Sequence, residues 1–201
     1  MIDTEPSQIA AIILSGGAGS RMSGVDKGLQ QHNGEALISW VIKAIRPQVG
    51  KIILSINRNQ SHYDKFGLET VTDNSNQTTE KIYNGPIAGI VSSVKTINLQ
   101  SYQSILIASC DSPNLNNNYI AKLNKAIIES NADVAVVNDG IRDQNLHCLI
   151  KVDVINNLLS YYQDSGRSMR GWLQTIDLIR VDFSDYSDSF ANLNTMKDIS
   201  T

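Results

Sequence analysis

Little in this chain of 201 residues suggests that covalent or metal cross-links hold it together. Its two cysteines, Cys110 and Cys148, are too few for a disulfide framework and lack zinc-ligand spacing, so the chain suits a reducing cytoplasm. The histidines, His32, His62 and His147, form no cluster and read as surface positions or a strand residue. There is no Ser-His-Asp or Cys-His arrangement, and Cys110 reads as a small buried residue rather than a nucleophile. Positive charge is not in excess: 17 Lys and Arg against 20 Asp and Glu leave a net charge of -3, which argues against a nucleic-acid binder. No apolar run is long enough to span a bilayer, and the acidic, polar MIDTEPSQ is unlike a signal peptide, so no membrane association is expected. Repeats and a convincing linker are missing too, and one domain over residues 1–201 is the expectation.

What is present is an alternation of short apolar runs with segments of helical period. Ala10–Leu14 (AAIIL), Lys51–Ile56 (KIILSI), Glu69–Thr72, Ser104–Ala108 (SILIA), Asp133–Val137, His147–Val152 and Leu178–Phe183 read as strands. Helices are expected over Ala36–Gln48, with Leu37, Trp40, Val41, Ala44 and Ile45 on one face, and over Pro86–Ile97, Tyr119–Ser130, Val154–Tyr162 and Met169–Leu173. Strands that are apolar throughout, separated by helices, imply a mostly parallel sheet covered on both faces, an α/β sandwich.

In such sheets ligands bind beyond the carboxyl ends of the strands. Those ends carry Ser15-Gly16-Gly17, Asn57-Arg58, Asp73 and Asp111, so a glycine-rich basic loop and two carboxylates converge on one edge. The loop, LSGGAGSRMSGVDKGL from Leu14 to Leu29, fails two common phosphate patterns. Lys27 precedes Gly28 with no hydroxyl residue in register for a Walker motif. Met22 stands where the third glycine of a dinucleotide fingerprint belongs, and the second strand ends in Asn-Arg rather than in an acidic residue. A loop of roughly a dozen residues is nonetheless longer than usual for a βα connection, and such loops are generally functional or disordered. Its glycines let the backbone approach a ligand and aim N–H groups at it, while Arg21 and Lys27 add charge, a combination that fits a nucleoside triphosphate. A solvated Gly/Ser loop with incidental charges is the alternative.

At these residues the chain resembles the molybdenum cofactor guanylyltransferases. The resemblance runs through Leu14-Ser15-Gly16-Gly17, Arg21-Met22, Gly24-Val25-Asp26-Lys27-Gly28, Asn57-Arg58, Asp73, Gly85-Pro86-Ile87-Ala88-Gly89, Cys110-Asp111-Ser112-Pro113 and Phe190-Ala191-Asn192-Leu193-Asn194-Thr195. It covers nearly the whole chain in order. It implies a three-layer α/β/α sandwich of the nucleotidyltransferase, glycosyltransferase-A-like Rossmann type, with GTP, Mg²⁺ and molybdopterin or Mo-molybdopterin as reactants and pyrophosphate as product. It also implies dealings with other molybdenum cofactor biosynthesis proteins and with molybdoenzyme chaperones. Four departures stand out: Ser23 for the first glycine of a pair, Ser55 for a frequent asparagine, Ser109 for a proline, and Gln144-Asn145 for a frequent His-Pro near the acceptor side.

Carried over residue by residue, the resemblance makes Arg21, Lys27 and Asp111 catalytic and Asp111 the metal ligand. It places Leu14, Ser15, Gly16, Gly17, Gly19, Gly24, Lys27, Ser55, Asp73, Gly85 and Asp111 against the nucleotide, and Asn192 and Asn194 toward the acceptor. Plainer readings stand beside these. Asp111 as a turn or cap residue before Pro113, Asp73 as a turn former, Gly85 and Gly89 as tight helix packing, and Asn192 and Asn194 as caps all remain open. Arg167 and Arg170, before Trp172, read either as acceptor-phosphate ligands or as an exposed helix face. Rival functions are CMP transfer to molybdopterin, NMP transfer to a sugar phosphate, and a non-catalytic nucleotide or cofactor carrier.

Overall fold

A computed structural model describes residues 5–16, 26–72 and 85–190. Ile9–Leu14 (β1) is buried at every position, as its unbroken apolar run requires of a strand covered on both faces. Beyond Lys27–Leu29, a single 3₁₀ turn, comes a small hairpin absent from the sequence expectation, Gln31–His32 (β2) and Glu35–Ala36 (β3). Its signal was Asn33-Gly34, both at positive φ (48° and 79°), the dipeptide that a tight hairpin turn demands. Leu37–Ile45 (α1) ends earlier than its periodicity suggested, because Arg46–Gln48, with Pro47 inside, tightens into a 3₁₀ turn. Trp40 lies half-exposed at the rim of α1, its indole donating to the His32 carbonyl.

Lys51–Ile56 (β4), the short Gln60–Tyr63 (α2), Glu69–Thr72 (β5) and Gly85–Val94 (α3) follow, then Ser104–Ser109 (β6) and Tyr119–Ser130 (α4). Val134–Asn138 (β7), Asp143–Lys151 (β8), Ile155–Gln163 (α5), Met169–Leu173 (α6) and Leu178–Asp182 (β9) complete the elements. The main sheet has the order β5-β4-β1-β6-β8-β7-β9. β8 runs antiparallel to both β6 and β7, while the other neighbours are parallel. A turn as short as 139–142, with Gly140 at φ 87°, can return the chain only as an adjacent antiparallel strand.

Alternate residues of β1 divide the core. Ala11 and Ile13 pack with Val41 and Ile45 of α1 and Leu123 and Ile127 of α4, whereas Ala10 and Ile12 pack with Ile87 and Ile90 of α3, Leu158 of α5 and Trp172 of α6. Helices therefore cover both faces, giving the three layers expected. Among the described residues no helix is long and apolar enough to cross a membrane.

Candidate active site

From β1 the chain moves outward to β4 and β5, then returns past β1 to β6. The strand order reverses between β1 and β6, the point at which open α/β sheets leave a crevice for ligands. Ser15-Gly16 leaves β1 there, and Cys110-Asp111 leaves β6 beside it, with the Cys110 amide donating to the Leu14 carbonyl at 3.0 Å. Sheet register thus delivers Ser15-Gly16, where the first loop begins, and Asp111 to one place.

Lys27 crosses this point. Its ammonium donates to Asp111 Oδ2 at 2.8 Å, with the two side chains 24% and 15% exposed. Burial pushes the Asp111 carboxyl upward, but the charge and hydrogen bond of Lys27 outweigh it and hold the carboxyl below its ordinary range. The nearby Ser109 hydroxyl also favours the ionised form. Asp111 Oδ1, by contrast, is buried with no partner among the described residues. A buried carboxylate oxygen left in that state is costly, and it fits a hard divalent cation, which takes one or two carboxylates and fills its shell with phosphate oxygens and water. Among the described residues no group of three or more His, Cys, Asp or Glu is gathered as a metal cage.

Two buried polar networks flank the pair. Beside Lys27, the Tyr63 hydroxyl donates to Asp26 Oδ1 at 2.7 Å, Ser15 Oγ lies 2.6 Å from Tyr63 Oη, and Asn59 donates to Asp26 Oδ2 at 3.1 Å. Beside Asp111, Ser112 Oγ is 3.0 Å from His147 Nε2, and Tyr119 Oη is 3.4 Å from Nδ1. Burial pushes the His147 imidazole down to about 4 against the opposing pull of Asp111, so at neutral pH the ring is uncharged. Burial, then the Asp111 charge, drives the Cys110 thiol up to about 12, which removes it as a nucleophile.

A cleft of about 570 Å³ opens from Asp111 toward β8 and β9. Its wall is made by an irregularity in β8. Val136 of β7 pairs with Cys148 but Val137 pairs with Gln144, so residues 145–147 of β8 bulge out of the ladder. Bulges re-aim side chains, and here Gln144, Asn145, Leu146 and His147 line the cleft together with Arg142, Arg170 and Arg180. Asp139 steadies the turn, accepting from the amides of Ile141 and Arg142 and from Gln144 Nε2. The departure from His-Pro at Gln144-Asn145 therefore lies within the cleft wall.

Of the expected site residues, Leu14, Ser15, Gly16, Lys27 and Asp111 converge. Leu14 and Ser15 turn their side chains inward, so any ligand contact from them is through the backbone. At Gly16 a Cβ would lie 2.6 Å from Asn57 Oδ1, so a larger residue would have to displace the Asn57 amide. Ser55 is 2% exposed and sits under Gly89 of α3. Gly85, at φ 68°, presses on the Arg167 carbonyl, a packing reason for glycine that stands whether or not a ligand lies near. Arg170 reaches the cleft; Arg167 donates to the Tyr162 and Gly166 carbonyls and lies over the Tyr162 ring. Gly17, Gly19, Arg21, Gly24, Asp73, Asn192 and Asn194 fall outside the described residues. Sequence reasoning missed Tyr63, Arg142, Arg180 and the Ser112–His147 pair. Asp26 and Ser112 stood inside quoted motifs, but neither motif gave a hint of the residue's partners.

Lys27 ion-paired with Asp111, set at the switch point of a three-layer α/β sandwich, fits an enzyme of the nucleotidyltransferase class. The chain belongs to the MobA-like NTP transferase family, whose domain model matches residues 11–180. It is similar to the molybdenum cofactor guanylyltransferases of Shewanella baltica, with 33% identity over 94% of this chain and 92% of that protein, and of Cupriavidus necator, with 34% identity over 96% and 95%. Among solved structures, molybdopterin-guanine dinucleotide biosynthesis protein A from Archaeoglobus fulgidus shares the fold, with a TM-score of 0.71 at 19% identity over 95% of both chains.

Proposed function

We propose that the chain transfers GMP from GTP to the terminal phosphate of molybdopterin or Mo-molybdopterin, releasing pyrophosphate, and that Mg²⁺ is its metal. The reading is carried by one observation: Lys27 and Asp111 face each other at the sheet switch point, with Asp111 Oδ1 unpartnered, beside a cleft bearing three arginines. Curated relatives of nearly equal length named as guanylyltransferases support it.

The acceptor phosphate attacks the α-phosphorus of GTP in line. An acceptor oxygen–phosphorus bond forms as the bond to the β-phosphate bridging oxygen breaks. A phosphate monoester has a second pKa of about 6, so near neutral pH the nucleophile is largely dianionic and needs no general base. The difficulty is bringing two anions together, and catalysis here is positioning plus charge stabilisation. Lys27 supplies a fixed ammonium at the crevice. Arg142, Arg170 and Arg180 hold the incoming acceptor in the cleft. Asn145, in the bulge, offers its amide to the acceptor's polar edges, while Gln144 beside it is held by Asp139. Asp111, through Oδ1, would hold a divalent cation, which when bound neutralises phosphate charge. The remaining first-loop groups, Gly17, Gly19, Gly24 and Arg21, belong to the same phosphate cradle in this proposal, with Asp73 and Gly85 on the nucleotide side and Asn192 and Asn194 on the acceptor side.

Purified protein supplied with GTP, Mg²⁺ and molybdopterin should yield molybdopterin guanine dinucleotide by mass spectrometry. Faster pyrophosphate release with CTP than with GTP would overturn the guanylyl assignment.

A further inference from the structure

Asp26 occupies the cap position of the Lys27–Leu29 turn, where an aspartate ordinarily turns back onto the turn's own free amides. It does not do so here. Its carboxylate accepts no capping bond and points instead into the protein, 7% exposed, toward α2. Tyr63 Oη and Asn59 Nδ2 take its two oxygens at 2.7 and 3.1 Å. Tyr63 gives its one proton to Asp26, so Ser15 Oγ must donate to Tyr63 Oη, and the chain of bonds runs from the end of β1 to the residue before Lys27. Gly28, on the other side of Lys27, is buried so closely over this chain that a Cβ would lie 2.7 Å from Tyr63 Oη and collide with Ser15 Oγ. The backbone is thus gripped at the residues immediately before and after Lys27.

We infer that Tyr63 is a positioning residue for the transfer reaction: its buried hydroxyl, joining Ser15 to Asp26, fixes the backbone from which Lys27 reaches Asp111. Tyr63 is fully buried and touches no ligand in this scheme. It acts through Lys27, which donates to Asp111 Oδ2 at 2.8 Å only if the 26–28 segment stays seated. A lysine has four rotatable side-chain bonds and pre-organises poorly by itself, so its usefulness toward a phosphate depends on how firmly its backbone is held. Asp26 is occupied by protein donors at both oxygens, whereas Asp111 keeps one open, so the two neighbouring carboxylates divide scaffold from ligand duty.

This rests on the guanylyltransferase reading for its consequence in nucleotide binding, but one arm of the test needs no substrate. In the free protein, the ¹⁵N ammonium resonance of Lys27, identified by its loss in Lys27→Met, should be distinct in wild type and should move to the solvent-exchanged position of exposed lysines in Tyr63→Phe. A purely structural tyrosine would lower the melting temperature and leave that resonance in place, which overturns the inference. In the second arm, GTP affinity by calorimetry should fall about tenfold in Tyr63→Phe, the size of one charge-assisted contact, with no further fall when the change is made in Lys27→Ala. An equal loss in both backgrounds overturns it. If wild type binds no GTP, the functional reading fails while the resonance still decides the role of Tyr63. Should Tyr63→Phe not fold, Asn59→Gly is read by the same resonance. Asn59 sits at φ 57°, which glycine accepts without strain, and a smaller shift in the same direction is expected.

Discussion

The two ends of the Lys27–Asp111 pair are held in different ways. On the lysine side the support is a carboxylate with protein donors on both oxygens, Asp26 with Tyr63 and Asn59, and it grips an irregular stretch of backbone. On the aspartate side it is an imidazole, His147, boxed by the rings of Tyr119 and Phe190 and joined to Ser112. The first arrangement places a flexible side chain, whereas the second packs a turn against a regular strand. Asp111 lies just past the end of β6, so sheet register already sets its position, and the imidazole has only to fill space and pair with the Ser112 and Tyr119 hydroxyls. Lys27 lies well beyond the end of β1 and has no such register. Disturbing the first support should therefore register in ligand binding, and disturbing the second in stability.

The largest effect expected lies at the shared ion pair itself. Asp111→Asn should lower pyrophosphate release by about 10³-fold or more, since it removes the group that organises phosphate charge, while the melting temperature changes little. Retention of normal initial rates would dissolve the comparison, because neither support would then hold anything of consequence.

Next comes the pH dependence of the aspartate side. The folded imidazole of His147 titrates at about 4, below its ordinary 6.5, so between these values the unfolded state binds the extra proton. Its neutral burial therefore stabilises the protein above pH 6.5, and that stability is lost as pH falls toward 4, by up to about 3 kcal/mol. The depressed carboxyls, Asp111 and Asp139 among them, act in the same direction but at lower pH, as each is protonated through its folded value. Urea unfolding at a series of pH values should show the decline, and His147→Gln should flatten it above pH 4. A wild-type curve already flat there would remove the distinction between the two sides.

Lys27→Ala should weaken GTP binding by roughly 10-fold, measured by calorimetry. It should also leave Asp111 without its cation, so that added Mg²⁺ raises the melting temperature of this variant more than that of wild type. Ser112→Ala, which strips one partner from buried His147, should destabilise by about 1–2 kcal/mol without altering GTP affinity. The smallest change belongs to the exposed Arg180–Asp143 pair at 2.9 Å: Arg180→Ala should shift stability by less than about 0.5 kcal/mol, so any effect on turnover is an effect on the acceptor.

Much of the frame was legible in advance. Tyr119–Ser130 and Met169–Leu173 match their expected bounds, because an apolar stripe at helical spacing fixes a helix locally. β1, β4 and β6 were readable for a related reason, since strands covered on both faces are apolar at every position. β8 was harder. Its first residues are mostly polar and bracket a bulge at 145–147 beside the cleft, and only the apolar remainder resembled a strand. Within the site, Lys27 and Asp111 stood out as charges where packing needs none. Tyr63 did not, because a tyrosine on a short helix carries no mark of the carboxylate it meets 37 residues away in sequence.

By itself, then, the sequence determined the layers, the parallel strands and the edge on which the charged groups gather, since periodicity and strand ends are properties of neighbouring residues. Only the tertiary structure decided which carboxylate is spent on scaffold and which keeps an oxygen open. It also decided that Ser55 lies under α3 and that His147 is uncharged in a ring of aromatics. Those outcomes depend on burial and on hydrogen bonds between distant segments, and both exist only once the sheet has brought the segments together.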